Sequence, residues 1–170
     1  MISAGPLQRW TFELIELTSG TSDPDIVDLK LEIVRLGRGK YGFSGFMDIK
    51  VDLYDDLKIG GSIERSKYRN GPYSKFPMGV ENEPLASAVN KFYTLILQPE
   101  AEKCCENAPI FKSKFVAPLE KRNVTINNCA LSTDNLPNVI MEGYYRLRLT
   151  SSGPVDVFVE ALSLVENKIF

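Results

Sequence analysis

Two long alternating runs that meet at a glycine turn limit this chain more than any other feature. Val27, Leu29, Leu31 and Ile33 alternate with Asp28, Lys30 and Glu32. Tyr41, Phe43, Gly45, Met47, Ile49, Val51 and Leu53 alternate with Gly42, Ser44, Phe46, Asp48, Lys50 and Asp52. A period of two sends successive side chains to opposite faces, so each run reads as a strand with one apolar face. Between them lies Gly37-Arg38-Gly39-Lys40, whose glycines take positive φ at little cost. The pair is a hairpin, and its apolar face needs a second layer to cover it.

More strands follow the same rule. Trp10-Thr11-Phe12-Glu13-Leu14 alternates, and Thr18 to Asp25, rich in turn formers, reads as a loop. After Tyr54-Asp55-Asp56, Leu57, Ile59, Gly61 and Ile63 alternate with Lys58, Gly60, Ser62 and Glu64, which predicts a meander. Asn70-Gly71-Pro72 is a turn signal, and Tyr73 to Met78 is expected to be a short edge strand ending at Pro77. Val124-Thr125-Ile126 reads as a short strand. Tyr145, Leu147 and Leu149, then Val155, Val157, Val159 and Ala161, flank Ser151-Ser152-Gly153-Pro154 as a closing hairpin.

The period changes after Pro84. Leu85, Ala88, Val89, Phe92 and Ile96 fall at helical spacing, which predicts a helix from Pro84 to about Leu97, ended by Pro99. The competing assignment is a strand over Phe92 to Leu97, since Phe, Tyr, Thr and Ile favour sheet. Glu100 to Glu120, with Pro109 and Pro118, reads as irregular with a helical turn near Cys104. About eight antiparallel strands with one helical insertion indicate a mainly β protein, a β-sandwich or barrel, in one domain over residues 1–170.

Composition narrows the chemistry. A net charge of -2 without a basic run argues against nucleic acid as a partner. The chain has no histidine, which removes the commonest general base and zinc ligand, and three cysteines are too few for a tetrahedral thiolate site. Neither a nucleophile–base pairing nor a metal or other cofactor is expected, and the chain reads as a non-enzyme. Asp52, Asp55, Asp56 and Glu64 lack calcium-loop order and read as turn residues. No apolar run reaches the length of a membrane span. Met1 to Pro6 lack the charged start and apolar centre of a signal peptide, and are expected to be a foreign or disordered lead outside the fold.

Cysteine usage and a sequon point outside the cytosol. Asn123-Val124-Thr125, in a polar loop, fits an N-glycosylation acceptor at Asn123. Either Cys105–Cys129 or Cys104–Cys129 would close a loop of about 25 residues, worth about 3 kcal/mol in a chain-entropy treatment. A Cys104–Cys105 bond is disfavoured by strain. The first pairing is slightly preferred. Trp10, Phe12, Phe43, Met47, Phe76, Met78, Phe92, Tyr145 and Phe158 read mostly as core. A sandwich with splayed sheets would instead expose some of them to an apolar pocket.

A resemblance adds to these readings. Cys105 before Pro109-Ile110, then Cys129, Leu136-Pro137 and Gly143-Tyr144-Tyr145-Arg146-Leu147 is similar to the C-terminal half of small secreted insect proteins, among them the chemosensory CheB family. Arg35-Leu36-Gly37-Arg38 and Gly45 before Asp48 to Leu53 extend the similarity over most of the chain. The resemblance implies kinship with the ganglioside activator and, more loosely, with ML-type lipid-recognition sandwiches. It therefore implies an immunoglobulin-like β-cup without catalysis whose apolar interior takes acyl chains or semiochemicals. It places the family's cysteines at Cys105 (or Cys104) and Cys129. The activator has more cysteines than the three present here.

Together these readings predict a secreted, extracellular binding protein holding a lipid or hydrophobic small molecule between two sheets, with peripheral membrane contact open to it. The expected lining is Phe12, Leu31, Ile33, Phe43, Met47, Ile49, Ile63, Phe92, Tyr145, Leu147 and Val157. The alternative is a saliva- or surface-type module with a filled core that engages a protein receptor through its loops and helix.

Overall fold

The computed structural model describes residues 9–130 and 138–168. Met1 to Pro6, Leu136-Pro137 and the side chain of Met78 lie outside the described residues. Among the described residues nine strands form two antiparallel sheets, as a β-sandwich requires. In chain order they are β1 Trp10–Thr21, β2 Val27–Gly37, β3 Lys40–Ile49, β4 Lys58–Ser66, β5 Ser74–Pro84, β6 Cys105–Glu106, β7 Arg122–Cys129, β8 Gly143–Ser152 and β9 Val157–Asn167. One sheet has the order β1-β9-β8-β4-β5 and the other β2-β3-β7-β6.

Both predicted hairpins form, with Ile33 opposite Phe43 in the first and Leu147 opposite Ala161 in the second. The expected meander does not. After β3 the chain changes sheets, and β4 pairs with β8 and β5. The first sheet is thus built from strands far apart in sequence, which local periodicity cannot reveal. β3 stops at Ile49, while Leu53 leaves the strand to pair with Leu119 through two backbone hydrogen bonds of 2.9 and 2.8 Å.

Three further expectations are corrected. β1 runs through Thr18 to Thr21, where a loop was expected, because β9 supplies a ladder as far as Thr21–Val157 and overrides turn-forming residues. β5 passes through Pro77 instead of ending there. It is an edge strand, and its pairing with β4 is irregular at that point, so the missing N–H leaves no ladder partner unmet. The helix, α1, occupies residues 85–104 and continues past Pro99. It begins as an α-turn, Leu85–Ala88, widens into a π-helical stretch, Val89–Leu97, and ends as an α-helix, Gln98–Cys104. Pro99 stands in the first turn of that last segment, where a missing N–H is tolerated.

The π-helical stretch also explains where the apolar stripe goes. Hydrogen bonds to the fifth residue widen the turn, so the inward positions become Val89, Tyr93 and Gln98. Ile96, expected on the buried stripe, is 61% exposed beside Leu95 and Leu97. The first helical turn gains a partner from a distant loop: Ala86 N–H donates to Asp55 Oδ1 at 2.8 Å.

The sheets meet along β1 and β2, while α1 leaves the end of β5 and delivers the chain to β6 on the opposite edge. One end of the interior is filled by Val27, Ile49, Leu53, Leu57, Leu85, Val89, Phe115, Leu119 and Val155, with Met47, Ile59 and Val157 packed against them. Outside the first sheet, Arg146 pairs with Glu160 at 3.1 Å and covers the Tyr73 ring at 3.9 Å, and Arg69 reaches Glu16 at 2.6 Å. These contacts fold the β4–β5 loop back over the outer face.

Gly45 sits mid-strand with φ +154, and a Cβ there would lie 1.8 Å from the Lys30 carbonyl oxygen. Gly45→Ala therefore forces β2 and β3 apart. Urea unfolding followed by circular dichroism should show a loss of at least about 2 kcal/mol, against less than about 1 kcal/mol for Gly37→Ala, where an added Cβ meets open space.

Candidate ligand-binding cleft

The filled cluster identifies the inward faces. Ile59 and Val157 of the first sheet and Val27, Met47 and Ile49 of the second all touch it. Strand registers then carry the inward face along each sheet. In the first it runs through Val157 and Ile59, Leu149 and Gly61, Leu147 and Ile63, and reaches Tyr145 and Arg65, with Leu17, Leu14 and Phe12 alongside on β1. In the second it runs from Val27 and Ile49 through Leu29 and Met47 and Leu31 and Gly45 to Ile33 and Phe43, ending at Arg35 and Tyr41.

Ten of the expected lining residues share these two facing surfaces: Phe12, Ile63, Tyr145, Leu147 and Val157 on one, Leu31, Ile33, Phe43, Met47 and Ile49 on the other. Phe92 is the eleventh, on α1. Of the eleven only Ile49 is fully buried; the other ten are half-buried. A sealed sandwich would bury such side chains completely. Leu149, also on the inward face, is 37% exposed. The interior is filled around Val27, and farther along the same faces half-buried side chains stand beside buried ones, among them Leu14, Ala161, Val165 and Cys129.

On the β5 and β6 side, α1 is tied to the loop that follows it by two side-chain amides. Asn90 Nδ2 donates to Phe115 O at 2.9 Å, and Phe115 N–H donates back to Asn90 Oδ1 at 2.8 Å. Gln98 makes the same reciprocal pair with Phe111, at 3.1 Å each way. Each amide imitates a backbone bridge and satisfies a loop peptide that would otherwise lose water unpaired. The Tyr93 hydroxyl donates to Pro109 O at 2.6 Å, and burial pushes its pKa up to about 12.

The cysteines resolve in favour of the less preferred pairing. The disulfide joins Cys104 to Cys129, with their Cα atoms 5.4 Å apart, and anchors the C-terminal end of α1 to β7. Cys105 is a free thiol 3.9 Å from Cys129 Sγ. Both neighbours lie near Cys129, so spacing could not choose between them; the helix places Cys104, while Cys105 has already entered β6. Asn123 lies in β7 rather than in a loop. Opposite Asp48 it faces outward and is exposed, while Val124 turns in and is buried.

The turn carboxylates act locally or as ties. Asp52 Oδ1 accepts from Lys121 N–H at 2.9 Å, Asp55 serves the helix start, and Glu64 stands 3.9 Å from Arg146. Two recesses open to the outside. One, of about 400 Å³, lies beside α1 at Asn90, Thr94 and Phe111; the other, of about 430 Å³, lies at the mouth around Arg65, Lys67 and Phe76. None of the eleven expected residues lines either one.

Sequence reading named Tyr145 and Phe76 at this end but missed Arg65. Reading the β4 alternation only to Glu64 stops one residue short. The next step after Ile63 puts Arg65, a cation, on the apolar face. Arg65 donates through Nε at 2.9 Å, and through a second nitrogen, to Glu142 O. It lies over Gly143, where a Cβ would stand 3.0 Å from Arg65 Nε. Tyr145 packs edge-on against Phe76 at 5.9 Å and donates to Met141 O at 2.6 Å. Burial raises the Tyr145 pKa, and the charge of Arg65 opposes that rise.

Comparison of the chain with protein-family models and with curated proteins finds no match.

Non-reducing peptide mapping should recover Cys104 linked to Cys129, with Cys105 alone taking up iodoacetamide. Cys129→Ser should lose about 3 kcal/mol of stability and Cys105→Ser less than about 0.5. Burial pushes the Cys105 pKa above the usual thiol value, so alkylation, which needs the thiolate, should be slow near about pH 7 and still be rising past about pH 9. Recovery of a Cys105–Cys129 link would overturn the assignment.

Proposed function

We propose that this protein is a secreted, non-enzymatic carrier that holds a lipid or hydrophobic small molecule between its two sheets. One observation carries the reading: apolar side chains of the two sheets face each other, and many of them, Leu31, Ile33, Ile63 and Leu147 among them, stay half-buried instead of sealed. Apolar surface left reachable by water costs about 25 cal/mol per Å², and an apolar guest removes that cost. Phe12, Ile63, Tyr145 and Leu147 would face the guest from one side, Leu31, Ile33, Phe43 and Met47 from the other. Val157 and Ile49 would form the floor, and Phe92 belongs to the helical wall. An intramolecular disulfide and a sequon with an exposed Asn123 support an oxidising, extracellular setting with a glycan on the outer face. The absence of histidine from the sequence supports binding over catalysis. A two-sheet β-cup with a Gly-Tyr-Tyr strand is also what the resemblance to the CheB proteins and the ganglioside activator implies.

A second reading, a module engaging a protein receptor or a membrane surface, is favoured by Leu95, Ile96 and Leu97, exposed at 69, 61 and 44%, with Val116 at 74% on the next loop.

The neutral probe N-phenyl-1-naphthylamine should bind with a fluorescence gain, and native mass spectrometry of protein from its own source should retain a lipid-sized adduct. Leu147→Arg, which puts a charge mid-cleft, should weaken probe binding at least about tenfold with unchanged circular dichroism. Replacing Leu95, Ile96 and Leu97 by Ser should leave probe binding intact. Loss of probe binding in the triple variant but not in Leu147→Arg would favour the second reading, and no binding by the wild type would sink the carrier.

A further inference from the structure

The inward face of the first sheet changes character along its length. It begins with aliphatic Ile59 and Val157, continues through Ile63 and Leu147, turns aromatic at Tyr145 and Phe76, and ends in Arg65. The recess of about 430 Å³ opens at that end. Ser74 pairs with Arg65 on the same face, and Lys67, Tyr68 and Met141 complete the wall. The recess holds two cations and no carboxylate side chain. The inward row of the second sheet also ends in a cation, Arg35.

Arg65 is held rather than loose. Gly143 carries no Cβ to crowd the guanidinium, and Glu142 O takes two of its five N–H groups. Its remaining donors are thereby fixed at the junction of greasy wall and open recess. A half-buried guanidinium beside a hydroxyl-bearing wall pairs best with a planar or tetrahedral oxyanion.

We propose that this recess is the headgroup site for an amphiphile with a compact anionic head, a carboxylate or phosphate, whose chain lies along Leu147 and Ile63. The proposal rests on the carrier reading and adds the ligand's charge class. Arg65 bears the head, and Lys67, exposed at the rim, adds a second positive charge.

Competition against N-phenyl-1-naphthylamine tests it with four twelve-carbon ligands: dodecanoate, dodecyl phosphate, dodecanol and dodecyltrimethylammonium. The two anions should displace the probe at concentrations about tenfold below dodecanol, and the cation should be the weakest. Lys67→Gln, a change at an exposed residue, should shrink the anion preference severalfold and leave dodecanol unchanged. Arg65→Gln should abolish the preference, with circular dichroism checking the fold. Equal potency of anion and alcohol overturns the headgroup site and leaves the carrier standing; failure of all four ligands and of the probe overturns both. Inorganic phosphate should weaken dodecanoate no more than sodium chloride of equal ionic strength. If it competes specifically, the recess takes a free anion and the amphiphile assignment falls.

Discussion

The strap that carries the chain from one sheet edge to the other governs this structure. β5 ends at Pro84 on the outer edge of the first sheet, and β6 begins at Cys105 on the outer edge of the second. Everything between is α1, and its far end is bonded covalently to β7 through Cys104 and Cys129. Along β1 and β2 the sheets approach each other directly. Along the other side, α1 links the two outer edges and is fixed to the second sheet at its C-terminal end. The Asn90 and Gln98 amide clamps then fasten the following loop over the helix, and Phe111 and Phe115, with ring centres 4.7 Å apart, fill the space beneath it.

Burial is uneven along the interior. Near the start of α1, Leu85 and Val89 join the filled cluster. Toward Tyr145 and Phe43, half-buried side chains stand beside buried Leu14, Val165 and Cys129. At that end stands a group that apolar packing alone would exclude, the guanidinium of Arg65. A cation on an inward face is tolerated where water still reaches it and where a backbone oxygen accepts its protons.

Much of the β architecture was legible. The alternation of Val27 to Ile33 against Tyr41 to Ile49 is local, and so is the closing hairpin at Gly153-Pro154; both survive in the structure with the expected faces. The facing set was legible too, because period-two parity assigns Leu31, Met47 and Leu147 to one side of their strands whatever the sheet order. What failed did so at junctions where distant chain decides. Thr18 to Thr21 became strand because β9 lay beside it, and Ile96 turned outward because the helix widened to i, i+5 bonding. Arg65 escaped notice because a strand read only to Glu64 ends one residue before it.

Residue by residue, the amino-acid order alone determined which faces are apolar, where the glycine turns bend, and that no histidine chemistry is available. These are properties of neighbours two or four positions apart. Only the tertiary structure decided which strands share a sheet, which of two adjacent cysteines meets Cys129, and that Leu95, Ile96 and Leu97 of the helix stand exposed. Those depend on a helix bridging two sheet edges and on ladders between residues more than a hundred positions apart, such as Thr21 with Val157. Contacts of that range are set by the packing of whole layers, and no short window of sequence carries them.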